Sequence, residues 1–270
     1  MLDYYYPPIK LTPGTLSPQN AGIKIIDNSD PMEFTDALKN RRSIRAFSDK
    51  AIEQSILDDI LLEALESPSS SNTQPYKIAV ATGNTCKELG QALLAKYHKI
   101  NKIQRKPLPL KVLSALTSKA MPDGDFKPIL GKYPGIFQKR RMETGRGLYE
   151  ILNIKRGDSN ARDEQMARNF TFFDAPAAIF VFVDPGMKFT AFVDAGIMMQ
   201  SLMLSATNKG LGTCAQGALG MWRSPLEEHF DIPKGYKLVC GLALGYPNED
   251  IVNTYRPNKL GLEELLIPTK

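Results

Sequence analysis

The stretch AAIFVFVD, residues 177–184, begins with seven consecutive apolar residues and ends in Asp184. A continuous apolar run of this length, rich in β-branched and aromatic residues, is typical of a strand buried on both faces. We therefore expect a buried strand that is apolar on both faces.

Two other stretches predict strands of the same sheet. KLVCGLALGYP, residues 237–247, is nearly as apolar as the first stretch and predicts a second buried strand. YKIAVATGN, residues 76–84, predicts a strand that ends in a Gly-Asn turn.

Four stretches predict helices. FVDAGIMMQSLMLSATNKGLG (192–212) predicts a long apolar helix closed by glycine, and IEQSILDDILLEALESP (52–68) predicts an amphipathic helix that ends at Pro68. TCKELGQALLAKYHKI (85–100) predicts a third helix, and DPMEFTDALKNR (30–41) a shorter one that starts at an aspartate cap. Helices and strands in this order indicate an α+β fold.

The chain shows no repeat and no linker, so one domain over residues 31–270 is expected. Residues 1–30 lack any periodicity and predict an extended N-terminal arm. Residues 105–145 contain five prolines and many basic residues, and we expect them to be irregular and to form a lid or binding element.

Composition excludes several classes of protein. The three cysteines and two histidines are too scattered for a structural zinc site or a disulfide framework, so no metal is expected. The N-terminus lacks the pattern of a signal peptide, and the longest apolar run is too short to span a bilayer. We expect a cytoplasmic protein without a membrane partner. The net charge of +5 without a nucleic-acid-binding motif also argues against nucleic acid as a partner.

Three arginines surround one serine in KNRRSIRAFSDK, residues 39–50. Such arginines can be surface cations that complement the carbonyl groups at a helix end. They can also form a phosphate clamp, because guanidinium groups bind a dianion with two parallel hydrogen bonds and the serine adds another. This stretch alone does not decide between the two interpretations.

A second polar stretch favours the clamp. SPSSSNTQPYK, residues 67–77, concentrates hydrogen-bonding side chains between a predicted helix and a predicted strand. An ordinary turn needs one or two such residues, whereas this number suits the edge of a planar heterocycle. A flexible loop is the alternative interpretation.

The glycines of NKGLGTCAQGALGMWR, residues 208–223, have the wrong spacing for a dinucleotide fingerprint and follow a helix instead of a strand. Gly217 and Gly220 would still let the backbone approach a flat ligand. Nucleophile-elbow, P-loop and HExxH motifs are absent, so the sequence offers no hydrolase or NTPase site.

These motifs occur in an order that resembles the FMN-dependent nitroreductase family. RRSIRAF is followed by a helix, SPSSSNTQPYK, FFDAPAAIFVFV, GLGTCAQGAL, LVCGLALGYPNED and finally YRPNKLGLEEL. The likeness covers roughly residues 32–265 and is greatest for the branch with a TC-x-Q-x-A segment. It implies a nitroreductase-like fold with a mixed, largely antiparallel sheet, and a homodimer whose C-terminal tails are exchanged.

The resemblance also implies two FMN sites at the dimer interface. Its phosphate and ribityl positions correspond to Arg41, Arg42, Ser43 and Arg45, with Arg42 turned toward the ring edge. The loop that reaches the partner's flavin corresponds to Pro68, Ser69, Ser70, Ser71, Asn72 and Gln74. The backbone near flavin N5 corresponds to Gln216, Gly217 and Ala218. Arg256 and Lys259 correspond to basic tail ligands, but a second tail cation of the family is replaced by Pro257. Residues 105–145 would cover the flavin.

The chemistry implied by the resemblance is a ping-pong hydride transfer from NADH or NADPH to FMN and then to a nitroaromatic, quinone or similar small acceptor. The cofactor carries this reaction, so no catalytic side chain is expected. Relatives with the same fold break down flavins or remove halogens reductively, and a non-catalytic flavin-binding or nucleic-acid-binding module is the other alternative.

Overall fold

The computed structural model describes residues 32–118, 120–126 and 131–269. The expected N-terminal arm, residues 1–30, lies outside the described residues, as does the aspartate cap predicted for the first helix.

The centre of the fold is one antiparallel sheet. Its strands are β1 (Tyr76–Thr82), β2 (Ala177–Val183), β3 (Gly212–Gln216) and β4 (Lys237–Gly245). They lie in the order β1-β2-β4-β3, and each neighbouring pair is antiparallel. One isolated parallel bridge joins Ser43 to Thr213 at the β3 edge.

Helices flank this sheet. They are α1 (Phe34–Asn40), α2 (Gln54–Leu65), α3 (Gly83–Gln104), α4 (Leu108–Thr117), α5 (Ile136–Ile151), α6 (Ser159–Ala167), α7 (Lys188–Asn208), α8 (Ser224–Glu227) and α9 (Leu262–Leu265). Short 3-10 turns connect several of them, at Ser70–Asn72, Phe172–Asp174, Pro185–Met187, Gly217–Met221 and Ile251–Thr254.

The strand β2 divides the core into two layers, and all seven of its residues are buried. Phe180 and Phe182 pack with α3 and the fully buried Trp222 on one face. Ile179 and Val181 pack with α2 and α7 on the other face. The expectation of a buried strand in an α+β fold is confirmed, and the structure places it inside the sheet, with its side chains alternating between two helix-covered faces.

The helical stretch Pro185–Asn208 is, among the described residues, the one with the length and mean hydropathy, 1.3, of a membrane span. One face of its helix α7 is buried against the sheet, through residues such as Met198 and Leu202. This packing is that of a core helix in a globular fold. The opposite face exposes Phe189 and Val193.

Two local predictions were wrong, and one strand was missed. Residues 105–145 are not irregular, since α4 lies within them and α5 begins there; Pro109 occupies the first turn of α4, where a missing N–H costs nothing. Gly83 and Asn84 begin α3 and do not form a turn. Strand β3 was not predicted, because its sequence GTCAQ lacks an apolar alternation and the strand depends on pairing with β4.

Asp125 fastens residues 120–126 to β4. Its carboxylate accepts from the Leu238 N–H at 2.8 Å and lies 2.8 Å from Arg223 Nη1 and 3.0 Å from Lys237 Nζ. Burial by itself raises the pKa of the Asp125 carboxyl, but these hydrogen bonds outweigh burial and hold the pKa below its usual value. Part of the predicted lid is therefore attached to the sheet by a buried charge cluster.

We expect Asp125→Asn to lower the free energy of unfolding at pH 7. The loss should shrink as the pH falls through the folded-state pKa, because the folded protein keeps this carboxyl ionised to a lower pH than the unfolded chain does. Urea unfolding at pH 7, 5 and 3 measures this. The control is Asp174→Asn, which removes an exposed carboxylate 3.6 Å from Arg168. A difference from wild type that stays constant down to pH 3 would contradict the prediction.

Candidate functional site

The arginine-rich segment lies beside the edge strand β3. Arg41 ends α1, with its N–H bonded to the Ala37 carbonyl oxygen at 2.9 Å. The Ile44 N–H then donates to the Thr213 carbonyl oxygen at 2.9 Å, which adds the segment to the sheet edge. The Ser43 side chain and Arg45 both lie near the buried thiol of Cys214: burial raises the pKa of that thiol, and these two groups oppose the rise.

Asn253 holds this segment in place. Its Oδ1 accepts from the N–H groups of Arg45 (2.8 Å) and Ala46 (3.2 Å), and its Nδ2 donates to the Ala46 carbonyl oxygen at 2.7 Å. Its own carbonyl oxygen accepts from Arg42 Nε at 2.6 Å. Sequence reasoning missed Asn253, because a single polar residue more than 200 positions away in the chain leaves no local pattern.

Arg42 and Arg256 lie close together. The pKa of Arg42 is lowered, first by burial and second by the charge of Arg256. Arg256 donates from Nη1 to the Lys39 carbonyl oxygen, at the end of α1. The chain thus brings the predicted tail cation to the predicted clamp, despite the repulsion between like charges.

The predicted cations also lack acidic partners. Within residues 32–118, 120–126 and 131–269, no carboxylate lies within 4.0 Å of the side-chain nitrogens of five cations: Arg41, Arg42, Arg45, Arg256 and Lys259. A solvated surface normally mixes charges of both signs. A basic cluster without acids favours an anion with several oxygens, such as a phosphate monoester. The residues present therefore fit the phosphate of FMN.

A cavity of about 580 Å³ separates α5 from the C-terminal tail. Arg256, Pro257 and Lys259 line it together with Lys139 on α5. The Tyr255 hydroxyl fastens the tail to α5 through the Thr144 carbonyl oxygen, at 2.7 Å. Both predicted tail cations therefore face one cavity, which the carboxylates of Glu143 and Glu264 also line and to which Pro257 contributes no charge.

The serine loop, residues 68–74, packs elsewhere, against α7. Ser67 Oγ bonds Ser201 Oγ at 2.8 Å, and the Ser70 N–H points at Asp194. Pro68, Ser69 and Ser70 line a cavity of about 260 Å³ on this side. Ser71, Asn72 and Gln74 are exposed. Across the part of the chain that the structure describes, no hydrogen bond or ion pair joins this loop to the arginine segment.

The segment at the end of β3 is half open. Gln216 is buried, and its Nε2 donates to the Asn169 carbonyl oxygen at 2.9 Å. Gly217 is exposed, and a Cβ built on it would meet open space. Ala218 is half-buried. The Gln216 side chain thus belongs to the protein interior, and the accessible groups here are the backbone of Gly217 and Ala218.

The family model of the nitroreductase family matches residues 38–246. This chain belongs to the nitroreductase family. The match spans the arginine segment, the serine loop and the four strands, so the resemblance noted in the sequence is confirmed at the level of the family.

Individual nitroreductases are similar over most of the chain. The 4-nitrobenzoate reductase of Nocardioides sp. (strain LMS-CY) is 31% identical over 214 residues, covering 79% of this chain and 80% of that protein. The FMN- and NADPH-dependent nitroreductase NfnB from Sphigopyxis sp. strain HMH is 28% identical with a TM-score of 0.73, covering 88% of this chain and 100% of that one. NfnB from Mycobacterium smegmatis, solved with NADPH, is 24% identical, has a TM-score of 0.75 and the same coverage, and supports the fold.

The cysteines of this nitroreductase do not supply a nucleophile. Burial raises the pKa of Cys240 to about 11, although the Gln216 N–H opposes the rise, and burial raises that of Cys86 to about 12. A thiol must ionise to attack a substrate, so both groups remain inert at neutral pH.

Proposed function

We propose that this chain is an FMN-dependent oxidoreductase that passes hydride from NADPH or NADH to a nitroaromatic, quinone or similar small acceptor. The observation that carries the proposal is the cluster of cations without acidic partners, in a family whose named relatives include FMN- and NADPH-dependent nitroreductases. The chemistry that FMN supplies when bound is reversible hydride transfer.

The residues of this chain bind and orient the cofactor. Arg41, Arg42, Ser43 and Arg45 would hold the phosphate and the ribityl chain, with Arg256 and Lys259 adding charge from the tail. Arg42 Nε already bonds the Asn253 carbonyl oxygen and Nη1 bonds the Asn40 carbonyl oxygen at 3.5 Å, so Nη2 is the group left for the ligand. The backbone of Gln216, Gly217 and Ala218 would contact the ring edge. Residues 31–270 would form one FMN-binding domain, with residues 105–145 over the flavin.

The protein would act as a cytoplasmic homodimer. The outer face of α7 exposes Phe189 (75%), Val193 (53%) and Ile197 (38%), an apolar surface that a second copy would cover. The serine loop borders this surface, which supports its contribution to the partner's FMN site. The tail exposes Leu266 and Ile267 (93%), as expected of a segment that packs on another subunit.

Absorption and turnover test the proposal together. Purified protein should show flavin bands that persist through gel filtration, and with FMN bound it should oxidise NADPH or NADH when 4-nitrobenzoate or a quinone is added. Protein that is colourless and cannot be reconstituted with FMN would contradict the proposal. Bound FMN with no turnover above free FMN would favour flavin breakdown, reductive dehalogenation or simple binding instead.

A further inference from the structure

The serine loop has a strained backbone. Ser71, Asn72 and Gln74 have φ angles of 50°, 55° and 45°, in the left-handed region that residues other than glycine rarely adopt. Such conformations persist only where surrounding contacts fix them. Three contacts are internal: Ser69 Oγ accepts from the Gln74 N–H, and the N–H groups of Asn72 and Thr73 donate to the carbonyl oxygens of Ser69 and Ser70, each at 3.0 Å. The loop also has an anchor outside itself.

Asp194 on α7 provides that anchor. Both of its carboxylate oxygens lie 3.2 Å from the Ser70 nitrogen, at the start of the strained turn. Asp194 is 4% exposed, and no lysine, arginine or histidine among the described residues forms an ion pair with it. A buried carboxylate without a counterion is costly, and a backbone N–H is the donor that stabilises it here.

The place of Asp194 connects the loop to the outer face of α7. Asp194 lines the same cavity as Ser69, Ser70, Val193 and Ile197. Tyr76, at the end of the loop, also lies near Asp194: burial first and then the Asp194 charge raise the pKa of its hydroxyl, which is buried without a hydrogen-bond partner in the described residues. The carboxylate thus lies where the loop, β1 and the apolar face meet.

We propose that Asp194 is a positioning residue that holds the serine loop in the conformation that receives FMN. This inference rests on the proposed function, since it assigns the loop to the cofactor. Asp194 acts through the Ser70 backbone, and the loop side chains contact the ligand. Because Asp194 lines the same cavity as the exposed Val193 and Ile197, the anchor borders the face proposed for dimer contact.

Hydrogen exchange of the apoprotein tests the anchor without any cofactor. In Asp194→Ala, peptides covering residues 66–76 should exchange faster than in wild type, while peptides of β2 should keep their wild-type rates. The matched control is Asp158→Ala. That carboxylate also accepts from a backbone N–H, that of Ala161 at 2.9 Å, but it caps α6 away from the loop. It should leave residues 66–76 unchanged.

FMN titration tests the positioning role. Asp194→Ala should bind FMN about tenfold more weakly or worse, the loss expected when a hydrogen bond to a charged group is removed. Asp194→Asn keeps an acceptor without the charge, so its affinity and exchange should fall between those of wild type and the alanine variant. Where Asp194→Ala fails to fold, Asp194→Asn carries the test, and wild-type values in it would overturn the proposal.

The outcomes distinguish a failure of the proposed function from a failure of the positioning role of Asp194. Wild-type protein that does not bind FMN defeats the proposed function, while the exchange experiment still measures the anchor. If wild-type protein binds FMN and Asp194→Ala binds it equally well, the positioning role is overturned, even where hydrogen exchange in the loop is faster. Faster exchange together with weaker FMN binding, at unchanged exchange in β2, supports it.

Discussion

Arg41→Ala is expected to weaken FMN binding at least tenfold, and up to about a hundredfold, without changing the free energy of unfolding of the apoprotein. The loss follows from removing charge-assisted hydrogen bonds to a phosphate. Stability should not change, because the Arg41 guanidinium has no hydrogen bond or ion pair within the described residues, and the N–H that closes α1 is retained. Fluorescence titration of apoprotein with FMN and urea unfolding measure the two quantities.

Two further variants sharpen this experiment. Arg41→Lys keeps the charge but loses the planar fork, so its FMN affinity should be intermediate. Arg156→Ala removes an exposed arginine between α5 and α6 and should leave FMN binding unchanged. Wild-type affinity in Arg41→Ala would remove Arg41 from the clamp, whereas a large loss of stability would assign it a structural role instead.

Asn253→Ala is expected to impair both stability and cofactor binding. The side chain satisfies backbone groups of the buried Ala46, the half-buried Arg45 and the exposed Asn248, and leaving these unpaired should cost on the order of 4 kcal/mol. FMN affinity should fall as well, because the segment that carries the arginines loses its attachment. Urea unfolding of the apoprotein measures stability. FMN titration without urea, where the variant is folded, measures cofactor binding separately.

Asn258→Ala is the control for this prediction. Asn258 lies in the same tail but is exposed, so the variant should unfold like wild type within about 0.5 kcal/mol. Asn253→Asp keeps the oxygen that accepts both N–H bonds and loses the amide donors to the Ala46 and Asn248 carbonyl oxygens, so it should also be destabilised. If Asn253→Ala unfolds like wild type, the hydrogen bonds of Asn253 do not hold the segment.

The sequence predicted the buried strands and helices well, because apolar runs and end signals in the local sequence mark such elements. β2 and α7 are long, apolar and flanked by clear end signals, and both lie within a few residues of their expected bounds. β3 and α4 could not be predicted in the same way. β3 is an edge strand formed by pairing with β4, and the prolines around α4 resemble those of a loop until their position in the first turn is known.

Within the candidate site, likewise, residues that are clustered in the chain were predicted and isolated ones were missed. Arg41, Arg45 and the serine loop were predicted because recognising an anion and a heterocycle needs several polar groups close together in the chain. Asn253 and Asp194 act alone, on backbone groups 208 and 124 residues away. No local pattern marks such residues, and their roles become visible only when the fold brings the partners together.

The attachment of Asn253 to the segment around Arg45 has a consequence for biosynthesis. The contact spans 208 residues, so during translation the arginines leave the ribosome long before the residue that fixes them. Ordering them requires closure of nearly the whole chain, a long-range step that is intrinsically slow. A nascent chain that stops before residue 253 carries all four strands and yet lacks the asparagine that orders its arginines. We therefore expect the proposed anion site to form late in the folding of the polypeptide.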